Sequence, residues 1–386
     1  MRAVIVEQGW SRGALAAVRA LAAAGWTVGV ASPEGQGLAS ASRACAARHR
    51  VASLQRSPEA FLDSVARVVR DGGYDVAFGA GEAEVLALSA ARDAVGCVVP
   101  HGPHEQLVRA LDKGELARAA GAVGIAVPDV LDPADVPDET TACIVKAHRH
   151  ARPDVAGSPP RIDTLVITGR SAVAHRVAEI RALGGEAEVQ VLHPGTLVAY
   201  SAVRGPRGVV ADSMQRAQGI WPPGAGASSR AVTVEVDEVL AARVAALLES
   251  LDFLGLAELQ FIEGPDGTRR LIDLNARFYG SLSLAVAAGA NLPAVWAAIA
   301  LGRDVPRVRA RAGVRYQWGT ADVRRALAER SGGVLPDLAR TLAAAPGARH
   351  SVWSAADPGP ALARLRSAVP VRRAARDASP QAALQG

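Results

Sequence analysis

A chain of 386 residues, 49% hydrophobic and 21% charged, has too much apolar mass for a disordered or fibrous protein and enough to bury a core across two or three domains. Its net charge of +5 comes from arginines spread along the chain without a basic stripe or interleaved aromatics, which argues against a nucleic-acid partner. Three scattered cysteines, Cys45, Cys97 and Cys143, argue against a disulfide framework or a zinc site and fit a reducing, cytoplasmic setting.

The opening MRAVIVEQGW reads as a first strand and not as a signal peptide. RGALAAVRALAAAG follows as a helix, WTVGVAS as a second strand, PEAFLDSVARVVRDGG as another helix, then YDVAFGAG and VGCVVP as strands. This alternation predicts a parallel sheet with helices on both faces over residues 1–105, although EQGWSRG carries no GxGxxG fingerprint. Residues 106–185 form a smaller unit: a helix from about Pro103 broken at Gly121 to Gly124, the strand TACIVKAHRH, the polar loop HRHARPDVAGSPPRID, then TLVITG and the helix RSAVAHRVAEIRALGG. A polar loop of that length suits a lid.

From AEVQVLHPG onward, over 186–310, strands with short turns precede the helix VDEVLAARVAALLESL and the pair GLAELQFIEG and TRRLIDLN, joined by Pro265-Asp266-Gly267. The apolar LSLAVAAGANLPAVWAAIALG is interrupted by Gly289, Asn291 and Pro293 and so reads as two helices meeting at a turn, not a membrane span. The tail over 311–386 is rich in Arg, Ala and Pro, with weak periodicity.

Only two of the 43 basic residues are lysines, Lys113 and Lys146. A compact ammonium is not interchangeable with a planar guanidinium, and lysines at helix and strand ends around a cleft suit phosphate oxygens. Strand alternation puts Asp273, Asn275 and Arg277 on one face of RRLIDLNARFYGS, and Glu258 and Gln260 on one face of GLAELQF. Two adjacent strands then offer an oxygen-only set with a single sure carboxylate, which suits a Mg²⁺ ion shared with substrate phosphates. Gly280-Ser281 opens the next helix, whose N-terminal amides favour anions. The histidines His101, His104 and His193 read as structural or solvent-facing, and Trp221 and Tyr279 as packing residues near the site.

The order LDKGELARAAGAVGIAVPDV, IVKAH, VQVLHPG, GLAELQFIEGPDGTRRLIDLNARFYGS and AAGANLP resembles the ATP-grasp superfamily, in particular the branch of carbamoyl-phosphate synthetase and the carboxylate-amine ligases. The hairpin with DLNARFYGS is its specific part. The resemblance implies an α/β fold of the α+β ATP-grasp type: a Rossmann-like pre-ATP-grasp domain at 1–105, a small lobe at 106–185, a large lobe with the metal site at 186–310 and a C-terminal extension at 311–386. It implies that Lys113 and Lys146 contact ATP phosphates and that Gln190, Val191 and Leu192 form the hinge against adenine. Gln260, Asp273 and Asn275 would hold one or two Mg²⁺ ions, with Mn²⁺ as a substitute. Arg277 would sit at the transferred phosphoryl group or at the carboxylate that receives it, and Arg216 near the acyl-phosphate, while Glu258 and Ser281 are open between substrate and metal.

There are departures from the family pattern. Gln260 stands where many members have a carboxylate, Asp273 is one methylene shorter than the usual Glu, and Val191 replaces a frequent hinge Glu. The lid lacks dense glycines, which leaves two readings: it acts through His148, Arg149 and His150, or it is impaired. The implied activity is an ATP-dependent carboxylate-amine ligase that forms an amide through an acyl phosphate. Carboxy-phosphate chemistry and a non-catalytic nucleotide-binding module are the alternatives. The implied partners are a small carboxylate and an amine or amino acid, with no membrane and a homodimer as the default assembly.

Overall fold

The computed structural model describes residues 1–149 and 162–368, so most of the expected lid, His150 included, lies outside the described residues. Strands β1 (Arg2–Val6), β2 (Thr27–Ser32), β3 (Ala47–Arg50) and β4 (Val76–Gly79) form a parallel sheet in the order β3-β2-β1-β4. Alternation splits β1 between two cores. Ala3 and Ile5 pack with the helix Arg12–Ala23, whereas Val4 and Val6 pack with Phe61, Val65 and Val69 of the helix Pro58–Gly72. Both faces are therefore covered by helices, as the β and α alternation requires.

The second sheet holds β5 (Val130–Leu131), β6 (Ala142–Ala147), β7 (Leu165–Thr168) and β8 (Ala187–Val191) in the antiparallel order β5-β8-β6-β7. The helix Arg170–Ala182 closes one face through Val173, Val177 and Ile180. Where a single helix was expected from Pro103, there are two, His104–Leu111 and Lys113–Ala122. Asp112 separates them, because its side chain accepts from the amides of Gly114 and Glu115 and so starts a new helix. Lys113 thereby becomes a first-turn residue.

The third sheet is built from β9 (Thr196–Gly205), β10 (Gly208–Trp221), β11 (Ala227–Val234), β12 (Gly255–Glu263), β13 (Arg269–Asn275), β14 (Val308–Arg309), β15 (Arg315–Gln317) and β16 (Arg349–His350). Its order is β13-β12-β9-β10-β11-β15-β16, with β14 beside β10. Ala257, Leu259 and Phe261 of β12 pack with the helix Glu238–Ser250 and the helices around Asp112. The opposite face turns toward the first domain and the cleft. The apolar stretch after residue 281 is two helices, Leu282–Ala287 and Leu292–Ala300, and no helix among the described residues is long and apolar enough to cross a membrane.

The sheet does not stop at residue 310. β15 pairs with β11, and the helices Gly319–Glu329 and Val334–Ala343 follow. The contact between them is ionic, while Leu335 and Leu342 of the second helix are exposed. Arg325, 3% exposed, donates to Asp322, Asp337 and Thr341, all buried. Apolar-period reading misses a core built this way.

Candidate active site

The hairpin of β12 and β13 sets the geometry. Asp266 accepts from the amide and hydroxyl of Thr268, Gly267 takes φ +78° and its amide donates to Gly264. The turn sets Glu263 opposite Arg269 and Phe261 opposite Leu271, and a bulge between Phe261 and Gln260 then shifts the pairing by one residue, placing Gln260 opposite Asp273 and Glu258 opposite Asn275. These last four side chains line one cavity of about 440 Å³.

Lys113 reaches the same cavity from its helix and donates to Asp273 Oδ1 at 2.8 Å. Lys146, on β6, lies 3.3 Å from Glu188 Oε1 and donates to the Ile272 carbonyl at 3.4 Å. Burial pulls the Lys146 ammonium below its ordinary range, and Glu188 opposes the shift. Glu188 also accepts from the Gln190 amide at 2.6 Å and has His148 Nε2 at 3.6 Å. Two buried ammonium groups thus stand over β13, each beside a carboxylate.

Gln190, Val191, Leu192 and His193 form another wall of the cavity. The Val191 amide is already taken by the Asp129 carbonyl at 2.9 Å. Arg277 and Tyr279 line the cavity, whereas Trp221 does not. His101 is structural, its Nε2 3.0 Å from the Ala276 carbonyl and its ring against Trp296.

Two site residues fall elsewhere. Arg216 lies on β10 beside Gln215, which bonds Ser281 on the cleft side, so alternation turns Arg216 to the opposite face. There it donates to Glu263 Oε1 at 2.5 Å, next to Arg269, and it does not line the cavity. Ser281 forms no capping bond, and the helix after it is only six residues long. Its hydroxyl accepts from Gln215 at 2.9 Å in a small side chamber instead.

The sequence reading missed Trp10, Ser11, Arg12 and Gly13, which enter the cavity from the first βα turn, and the turn Gly224–Ala227. Arg12 donates to the Tyr316 hydroxyl at 2.7 Å and to the Gly280 carbonyl, with its guanidinium 3.5 Å from the Trp318 ring. No local pattern signals a contact across 304 positions.

Glu258 is 3% exposed, and burial pushes its carboxyl up to about 7, with Arg277 opposing. Glu7, at the end of β1, is pushed up to about 7 for the same reason. An acid whose folded value is raised keeps its full stabilising contribution below 4.5 and loses it as pH rises through about 7. Stability against urea is therefore expected to fall across that window by up to ~1.4 kcal/mol per pH unit for each carboxyl. Glu7→Gln and Glu258→Gln should each flatten the slope, and a slope unchanged in both would refute the assignment.

Among the described residues no cluster of three His, Cys, Asp or Glu could hold a metal by itself. The donor set is instead the Asp273 carboxylate with the amides of Gln260 and Asn275. Both amide nitrogens donate to Glu258 Oε2, at 3.2 and 3.0 Å, which turns their oxygens away from Glu258. This set fits a hard Mg²⁺ ion drawing further ligands from phosphates, and does not fit a soft or wholly protein-held metal.

Solved structures sharing this architecture include three enzymes. The biotin carboxylase domain of Hydrogenobacter thermophilus 2-oxoglutarate carboxylase, a dimer in complex with MgADP, ADP and bicarbonate, is 10% identical, with a TM-score of 0.62 over 81% of this chain and 73% of that one. The L-amino acid ligase of Bacillus licheniformis is 14% identical, with a TM-score of 0.56 over 77% and 74%. The N5-carboxyaminoimidazole synthetase of Staphylococcus aureus is 12% identical, with a TM-score of 0.58 over 80% and 78%. The chain has the ATP-grasp fold. More particularly, residues 207–321 match the family described as ATP-grasp in the biosynthetic pathway with Ter operon. No curated protein matches the chain.

Proposed function

We propose that this chain is an ATP-dependent carboxylate-amine ligase that works with Mg²⁺. The observation that carries the reading is the convergence of Lys113 and Lys146 with Asp273, Asn275 and Arg277 in one cavity. Cations gathered beside an oxygen donor set suit phosphoryl transfer, which needs positioning and charge neutralisation more than a protein nucleophile.

In the first step a substrate carboxylate oxygen bonds to the γ-phosphorus, the bond to the β-phosphate oxygen breaks, and ADP leaves. In the second the amine nitrogen bonds to the acyl carbon, the carbon–oxygen bond to phosphate breaks, and the nitrogen loses a proton. Mg²⁺ when bound neutralises phosphate charge. Lys113 and Lys146 exchange their carboxylate partners for phosphate oxygens, Arg277 holds the anionic oxygen at the reacting end, and Asp273, Gln260 and Asn275 hold the ion. The wall at Gln190, Val191 and Leu192 receives the adenine. Arg216 is given no role here, because its guanidinium is bound to Glu263 on the far face.

Lys146→Met is expected to weaken ATP binding roughly 10- to 100-fold through loss of a charge-assisted contact, read as KM for ATP or as the Kd of a non-hydrolysable analogue. An unchanged value would remove Lys146 from the phosphate site. The direct test of function is ADP release by the purified chain with MgATP, against pooled small carboxylic acids and pooled amines. Release requiring both pools supports the ligase. Release requiring bicarbonate alone would assign carboxy-phosphate chemistry, and nucleotide binding without release would leave a binding module.

A further inference from the structure

Arg277 lies just past the end of β13, in a segment whose backbone is held by the first domain. The Ala276 carbonyl is 3.0 Å from His101 Nε2, and the Gly280 carbonyl accepts from Arg12 at 3.3 Å. Between them the Phe278 ring packs on Phe78 of β4, with centroids 5.2 Å apart, and the Phe278 and Tyr279 carbonyls approach Gly13 too closely for a Cβ. The hairpin therefore delivers Arg277 to the cleft, and the first domain decides where its backbone comes to rest.

A fixed backbone does not aim a guanidinium, because the rotamer entropy of so long a side chain opposes any single placement. Two buried carboxyls feel its charge: Glu258 from β12, and Glu84 from the first turn of the helix Glu82–Ala90 that follows β4. Glu84 is 2% exposed, and burial pushes its carboxyl up, with Gln8 and Arg277 opposing. Its Oε1 accepts from the Gln8 side-chain amide, on the loop after β1. A Cβ at Gly81 would fall well inside contact distance of its Oε2, so the carboxyl is folded back over the start of its own helix, at the end of β4. That is the strand whose Phe78 carries Phe278. A buried carboxylate is costly without a cation to face, and where Gln8 supplies a neutral donor, Arg277 supplies the charge.

Glu258 lines the cavity, and Glu84 does not. One acid stands beside the substrate space and the other behind its wall. We infer that Glu84 is a positioning residue, which holds the Arg277 guanidinium at the phosphoryl end of the cavity from the first domain. This inference rests on the ligase reading and extends it, since it gives the first domain a part in the phosphoryl-transfer step. With Glu84 uncharged, Arg277 would keep its charge and lose its fixed direction. Geometry lost at a reacting centre weakens the hold on the transferred group far more than the hold on the nucleotide.

The test is calorimetric binding of MgADP to the full chain, alone and with aluminium fluoride, which takes the place of the transferred phosphoryl group. Wild type should bind MgADP more tightly with aluminium fluoride present, and Arg277→Gln should lose most of that gain. Glu84→Gln should bind MgADP alone as wild type does and lose roughly 10- to 100-fold of the gain. In the Arg277→Gln background the same change at Glu84 should do nothing more, because a residue that acts through another has no effect once the other is gone. Glu84→Asp keeps the charge and should retain more of the gain, and it supplies the comparison where the glutamine variant fails to fold. If Glu84→Gln weakens MgADP with and without aluminium fluoride alike, or adds its full loss to that of Arg277→Gln, the inference is overturned while the ligase reading survives. If aluminium fluoride adds nothing in wild type, the inference falls together with the role of Arg277, and if MgADP itself does not bind, the ligase reading falls too.

Discussion

Replacing Asp273 by Ala is expected to reduce ATP turnover by at least roughly 10³-fold, because it removes the one carboxylate that faces the cavity from β13 between the two lysines. Stability should fall as well. The Lys113 side chain is 4% exposed and sits 2.8 Å from Asp273, so removing one partner strands a buried charge, at a cost on the order of 3 kcal/mol. The double variant Lys113→Met with Asp273→Ala separates these effects. It should recover part of the stability, since no charge is stranded, and none of the turnover. Urea midpoints and ADP release measured on the three proteins decide the matter. Turnover in Asp273→Ala within a few-fold of wild type would discard the metal assignment.

The second large effect is expected from Gly13→Val. A Cβ at position 13 would fall well inside contact distance of the Phe278 carbonyl oxygen and 2.9 Å from that of Tyr279, both backbone atoms that cannot rotate away. The helix Arg12–Ala23 would have to retreat from the Phe278–Gly280 segment, and overpacking of this kind costs about 1–3 kcal/mol. Arg12 moves with its helix, so the acceptor end of the cavity should lose affinity while the distant Lys146 end keeps it. Gly121→Ala supplies the contrast, since a Cβ there meets nothing within 4 Å and the residue lies inside the helix Lys113–Ala122. It should be neutral or stabilising by roughly 0.5–1 kcal/mol. Equal denaturation midpoints for Gly13→Val and wild type would show that the contact with Phe278 is not tight.

What was legible in the sequence was local. The period of two put Glu258 with Gln260 and Asp273 with Asn275 on one face of their strands, and Pro265-Asp266-Gly267 joined those strands, whereas the bulge that sets Gln260 opposite Asp273 carries no signal in the sequence. Lys113 and Lys146 stood out only because the chain otherwise uses arginine. Arg216 was misplaced because a strand read alone does not reveal which face meets the cleft, and its neighbour Gln215 takes the cleft side. Arg12 was invisible for a different reason: its partners Gly280, Tyr316 and Trp318 are brought to it by the packing of the first domain against the third sheet. The helices after residue 318 were missed because buried charge, centred on Arg325, takes the place of an apolar stripe.

The tie between Arg12 and Tyr316 also bears on when the protein becomes competent during its synthesis. The parallel sheet of the first domain pairs only early residues, but one of its faces shares a core with Phe278, Leu282 and Trp296, and Arg12 has no Tyr316 to hold it until 304 further residues have been added. At about 5–20 residues per second that interval is roughly 15–60 s. The nascent chain therefore carries its first strands through most of synthesis before either their shared core or the cleft is complete, and gains the acceptor end only once β15 has joined β11.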